Sequence, residues 1–247
     1  MKIKICRDEA ELGKSAAEEA ISAIANAIVE DGKANIIVAT GQSQFEMLKY
    51  LTESGKIDWS KVVMFHLDEY IGLPITHKAS FRKYLQERLV DRAPGLQEYY
   101  FIDGEASSPK EECARLGKII ANHPIDLALV GVGENGHLAF NDPPADFKTR
   151  EPFIVVELDA ACRMQQVGEG WFPGIEEVPA KAISMSIYQI MASKKIICSV
   201  PGNHKAQAVK DCLDGMISAM HPASILQEHR HCSVYLDLDS ASRLTNK

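Results

Sequence analysis

Ile125-Asp126-Leu127-Ala128-Leu129-Val130 runs without a break into Gly131-Val132-Gly133-Glu134-Asn135-Gly136-His137. The first six residues are almost continuously apolar, the pattern of a strand covered on both faces. Strands of that kind belong to parallel sheets, whose connections must cross over the sheet, usually as helices. Asn35–Ala39 repeats the pattern, and Lys2–Cys6, Lys61–His66, Tyr99–Ile102, Phe153–Leu158, Lys195–Val200 and Val234–Leu236 read as further strands. Between them, Asp8 to Glu30, Phe45–Leu51, Phe81–Leu89, Pro109 to Ala121, Ala182–Met191 and Lys205–Leu213 carry helical spacing. Pro109 suits a first helical turn, where no N–H is missed.

Strands alternating with helices, with no Gly-, Ser- or Pro-rich linker, predict a single Rossmann-like α/β domain over residues 1–247. Its sheet is expected to be mostly parallel, with helices on both faces. In such sheets ligands bind beyond the C-terminal strand ends.

The chain has 247 residues, 46% hydrophobic and 25% charged, which is globular usage rather than disordered. With 27 basic and 34 acidic side chains, the formal charge is −7. That balance argues against nucleic acid or an anionic membrane as partner. It leaves room for a small anion in one basic pocket. No apolar run approaches the ~18 residues of a membrane span, and the alternating start does not read as a signal peptide. The six cysteines form no C-x-x-C pair, so no zinc or redox motif is visible, and reduced thiols in a cytoplasmic protein are expected. A homo-oligomer is left open.

Four strand ends carry polar residues. Thr40-Gly41-Gln42-Ser43 precedes a helix, where free N–H groups and the helix dipole suit a phosphate; Ser43 as a plain N-cap is the alternative. It has no Lys after the Gly and is no nucleotide loop. At the second end, Asp68-Glu69 sets two carboxylates side by side, which raises pKa values and makes a proton shuttle available. A solvated loop with Asp68 as a turn cap is the alternative. The third, Gly131 to Gly136, matches G-x-G-x-x-G, but Pro143-Pro144 leave no room for the helix that a dinucleotide site needs. A Gly-rich loop presenting His137 between Glu134 and Asp142 fits better, because a carboxylate orients and tunes an imidazole. Lys205, after Pro201-Gly202-Asn203-His204, is either a phosphate cation or a solvated lysine. Together these groups suit proton transfer on a sugar phosphate, and no cofactor and no metal is called for.

At these residues the chain resembles the glucosamine-6-phosphate deaminase family, also called glucosamine-6-phosphate isomerase. The resemblance rests on Thr40–Ser43, on Asp68-Glu69-Tyr70-Ile71-Gly72-Leu73-Pro74 with Ser80-Phe81, and on Gly131 through Pro143. Val178–Met185, Lys205-Ala206 and Pro222–Gln227 extend it. It implies conversion of glucosamine 6-phosphate and water to fructose 6-phosphate and ammonia. It makes Asp68 the proton-carrying base, His137 the ring-opening group, and Asn135 and Asp142 its catalytic neighbours. Thr40, Gly41, Gln42, Ser43, Gly133, Gly136 and Lys205 would bind substrate. Asp142 stands where the family usually has Glu, so either the loop shifts or a water bridges to His137. The family's lid ends in Arg-Phe-Phe; here Gly170-Trp171-Phe172 replaces it, two residues further on, inside a lid of about residues 150–178. Arg163 is the expected replacement cation. The altered lid leaves two further readings: an isomerase or lactonase for another sugar phosphate, such as galactosamine 6-phosphate or 6-phosphogluconolactone, and a non-enzymatic sugar-phosphate sensor.

Overall fold

The computed structural model describes residues 1–245. Its strands are β1 (Lys2–Cys6), β2 (Ala34–Val38), β3 (Val62–His66), β4 (Asp68–Tyr70), β5 (Glu98–Tyr100), β6 (Leu127–Val130), β7 (Phe153–Glu157), β8 (Lys181–Met185), β9 (Lys195–Val200) and β10 (Cys232–Asp237). Its helices are α1 (Glu9–Asp31), α2 (Phe45–Glu53), α3 (Phe81–Arg88), α4 (Pro109–Ile120), α5 (Ala160–Gly168), α6 (Ile187–Met191) and α7 (Ala206–Leu213).

Seven strands form one wholly parallel sheet in the order β1-β10-β9-β6-β2-β3-β5. Every residue of β2, β3 and β6 is buried, as strands covered on both faces require. Alternate residues serve opposite layers. Ile36, Val38, Met64, Leu127 and Leu129 pack under α1, α2 and α3. Ile37, Phe65, Ala128, Val130 and Cys198 pack under α4, α6 and α7. Polar edges end the sheet: Lys2 and Lys4 on β1 and Glu98 on β5 are exposed, which discourages edge pairing. Gly13 lets α1 and α2 touch, since a β-carbon there would lie 2.5 Å from Glu46 Cβ.

Two expectations are corrected. Ala182–Met191 is not one helix. Its first half is strand β8, buried from Ala182 to Met185, and the helix begins only after Ser186, whose hydroxyl caps the Gln189 N–H. A short apolar run has no period that separates strand from helix, and tertiary pairing decided it. Asp68–Tyr70 is not loop but strand β4. It pairs antiparallel with β8, which pairs with β7, so the chain carries a second, three-stranded sheet. Helix α5 and the 3-10 turn Ile175–Glu177 fill the region expected as a lid. Beneath them Tyr70, Phe140, Cys162, Phe172 and Ala182 form a third apolar cluster.

Candidate active site

The polar strand ends meet. β9, β6, β2 and β3 are consecutive in the sheet, so the segments after them converge at its C-terminal edge, where ligands of parallel sheets collect. They line one cavity of about 180 Å³ that includes Thr40, Gly41, Gln42, Ser43, Asp68, Gly133, His137 and Lys205.

Asp68 and Glu69 are neighbours with different duties, because successive strand residues point to opposite sides. The Glu69 carboxylate turns inward and accepts from Ser80 Oγ (2.7 Å), Arg82 N (2.9 Å), Tyr70 N (2.9 Å) and Arg82 Nε (3.2 Å). It is a structural hub for the 69–82 segment. Asp68 lines the cavity at 6% exposure. Burial, and then the charge of Glu69, raise its pKa well above the usual carboxylate value. Among the described residues its carboxylate has no hydrogen-bond donor and no ion-pair partner, so it is not a turn cap but faces the cavity.

His137 is held from behind. Its Nδ1 lies 3.0 Å from Asp142 Oδ1, and Asn135 Nδ2 donates to the same oxygen at 3.1 Å. The Asp159 N–H donates to Asp142 Oδ2 at 3.3 Å. Burial tends to raise the Asp142 pKa, but the bonds from His137 and Asn135 outweigh it and hold it below the usual value. An ionised Asp142 assigns the Nδ1–H tautomer and leaves Nε2 as the reactive nitrogen. The contact is direct, so the shorter Asp reaches His137 without a bridging water. Among the described residues the Glu134 carboxylate makes no hydrogen bond to the imidazole; the Glu134 N–H donates to Gln165 Oε1 at 3.1 Å. Gly133 is required for space, since a β-carbon there would lie 2.2 Å from His137 Nε2. Ala139, two residues on, sits at φ 51°, a strained backbone for a residue with a β-carbon, on the cavity wall.

The opposite wall suits an anion. Gly41 takes φ 103° and opens the turn Gln42–Gln44 ahead of α2. Ser43 makes no N-cap bond there; its Oγ accepts from Gln44 Nε2 at 3.0 Å. Lys205 is 5% exposed and without a carboxylate within ion-pair distance among the described residues. Burial lowers its pKa, with Glu169 and Glu134 pulling the other way. A desolvated, unpaired ammonium on a cavity wall calls for an anionic ligand.

Two expected substrate contacts are not at the cavity. Arg163 is a correction: its Nη2 donates to the carbonyls of Ile175 (2.6 Å) and Val178 (3.0 Å), which clips α5 to the following turn. Gly136 turns the loop at φ 84° and packs toward Cys212 and Pro222. The cavity lining also includes Lys78, Tyr84, Gln165, Glu169, Trp171 and His204, which sequence reasoning did not single out. Lys78 Nζ donates to the Gly170 carbonyl at 2.9 Å, so a cation reaches the segment after α5 from another loop. Gln42 Nε2 donates to the Glu169 carbonyl at 3.2 Å, a second tether. The oxygens of Glu169 accept from Gln165 Nε2 (2.7 Å) and Trp171 Nε1 (3.0 Å).

Residues 7–235 match the family model described as glucosamine-6-phosphate isomerases/6-phosphogluconolactonase. The chain belongs to this family. A glucosamine-6-phosphate deaminase of Lactobacillus delbrueckii subsp. bulgaricus is 34% identical over 99% of this chain and all of its own. One from Lacticaseibacillus paracasei is 36% identical over the whole of both chains. Among solved structures, a monomeric glucosamine-6-phosphate deaminase superposes with TM-score 0.89 at 30% identity, covering 98% of this chain and 99% of its own. A 6-phosphogluconolactonase from Shewanella baltica shares the fold, with TM-score 0.80 at 19% identity over 96% of this chain and 97% of its own. The family model's description covers both isomerases and a lactonase. No helix among the described residues is long and apolar enough to cross a membrane.

Proposed function

We propose that this chain converts glucosamine 6-phosphate and water to fructose 6-phosphate and ammonia. The observation that carries the reading is a buried, unpaired Asp68 sharing one cavity with an Asp142-held His137 and an unpaired Lys205. The phosphate sits against the N–H groups of Thr40–Ser43 and Lys205. His137 Nε2 moves the proton that opens the pyranose ring. Asp68 takes the C2 proton of the open aldose and returns it to C1, on one face. The resulting imine at C2 adds water and releases ammonia. Asn135 and Asp142 keep the His137 ring in register. Residues 150–178 act as the lid, and the chain works in the cytoplasm on a sugar phosphate.

Lactone hydrolysis is the second reading, motivated by the lid glycine at Gly170. It needs no base that serves two carbons, which is why Asp68 favours the deaminase. A panel of glucosamine 6-phosphate, galactosamine 6-phosphate and 6-phosphogluconolactone decides by kcat/KM. Fructose 6-phosphate and ammonia formed in equal amounts are expected; hydrolysis of the lactone alone overturns the proposal.

A further inference from the structure

Behind the cavity, three side chains from separate segments converge. His137 comes from the Gly-rich loop, Asp142 from the turn after it, and Cys162 from the first turn of α5. One donor atom of each lies within 4.8 Å of the other two. Cys162 is 1% exposed and His137 9% exposed. The cysteine has no role in the proposed reaction, and its buried thiol lies against the Asp142 carboxylate. Imidazole, carboxylate and thiol together are a borderline-soft donor set with the ligand types that Zn²⁺ takes.

We propose that His137 Nδ1, Asp142 and Cys162 Sγ form an inhibitory site for a borderline-soft divalent cation such as Zn²⁺.

The charges close: one dication meets one carboxylate and one thiolate. Binding releases the thiol proton to solvent. The imidazole proton moves from Nδ1 to Nε2, because the metal takes the Nδ1 lone pair. Nε2 then carries a hydrogen and can no longer act as the base that faces the substrate. The metal takes the place of the direct His137–Asp142 hydrogen bond, whose 3.0 Å separation already suits two neighbouring zinc ligands, so the sulfur is the donor that must approach. Zinc–donor distances of about 2.0–2.3 Å put neighbouring donors roughly 3–4 Å apart. The fourth tetrahedral position is left for water. The ligands lie at positions 137, 142 and 162, a spacing that no linear zinc motif shares, so only the fold assembles them.

The test has one arm that needs no activity. Co²⁺ added to the full chain should give one equivalent of tetrahedral cobalt with a thiolate-to-metal charge-transfer band. Cys162→Ala should abolish that band. The second arm rests on the role proposed for His137. Zn²⁺ should inhibit turnover reversibly, with recovery on chelation, and Cys162→Ala should raise the half-inhibitory concentration by about tenfold or more. Cys162→Ser separates loss of the sulfur donor from loss of volume and should behave like Cys162→Ala. Absence of the thiolate band overturns the site. A band with undiminished turnover overturns the inhibitory role. Zinc inhibition that is unchanged in Cys162→Ala overturns the assignment of its ligands. If no turnover is found on any sugar phosphate, the cobalt arm still decides the site by itself.

Discussion

At 6% exposure an ionised Asp68 has little water to solvate it, and this sets its behaviour. Its pKa in the folded protein is raised, by burial first and Glu69 second. The folded chain therefore keeps a proton that the unfolded chain loses near pH 4. Stability from this group is greatest below that value and falls as pH rises through the folded-state pKa. Asp68→Asn removes the cost, so its Tm should exceed that of the unchanged protein at pH 7, and the two should converge toward pH 4. The same variant should lose about 10²–10⁴-fold in kcat with little change in KM. Thermal melts and steady-state kinetics check both, and a loss confined to KM would make Asp68 a binding group. Gly133→Ala drives a methyl into the His137 ring, 2.2 Å from Nε2. It should lower kcat by about 10²-fold while far-ultraviolet dichroism stays unchanged, because a displacement near 1 Å suffices for such a loss.

Helix α5 is a short element that carries several obligations. Asp159 caps it, accepting from the Cys162 N–H at 2.6 Å, and also receives Asn135 Nδ2 at 3.4 Å. One residue thus starts helix α5 and braces the group behind His137. Asp159→Ala should cost about 1 kcal/mol in urea unfolding and should also lower kcat; a stability loss with unchanged kcat would separate the two duties. The element was not legible beforehand. Residues 160–168 form a short run set among polar neighbours; the segment just after the helix is tethered from elsewhere by Lys78 and Gln42, and Arg163 of the helix clips it to the following turn. The same holds for β8. Ala182–Met185 reads equally as helix or strand until β4 and β7 supply its partners. Arg163 misled for a related reason. A lone arginine beside an expected phosphate site looks like a ligand, and only the fold shows its donors turned to two carbonyls.

On the scale of the molecule, a ligand bridging the C-terminal ends of β2, β3, β6 and β9 ties both halves of the sheet to the second sheet and to α5. Fructose 6-phosphate at about 100 times its Kd should stabilise the folded chain by ~2.7 kcal/mol. For a chain of this size that is a Tm rise of roughly 5–10 °C. Lys205→Ala should remove most of it, and calorimetric melts with and without the ligand measure the difference. An equal shift in the variant would place the anion elsewhere.

The apolar runs at Asn35–Ala39 and Ile125–Val130 were enough, read alone, to specify buried parallel strands, because both layers of a covered sheet write themselves into consecutive residues. The local chemistry of Asp68, His137 and Lys205 was likewise visible, since polar groups at strand ends interrupt that pattern. The tertiary structure alone decided which carboxylate faces the cavity, that Asp142 reaches His137 directly, that Arg163 is occupied elsewhere, and that Cys162 stands behind the imidazole. Those are matters of direction and distance between segments up to 137 residues apart in a pair such as Asp68 and Lys205, and a linear pattern carries no information about either.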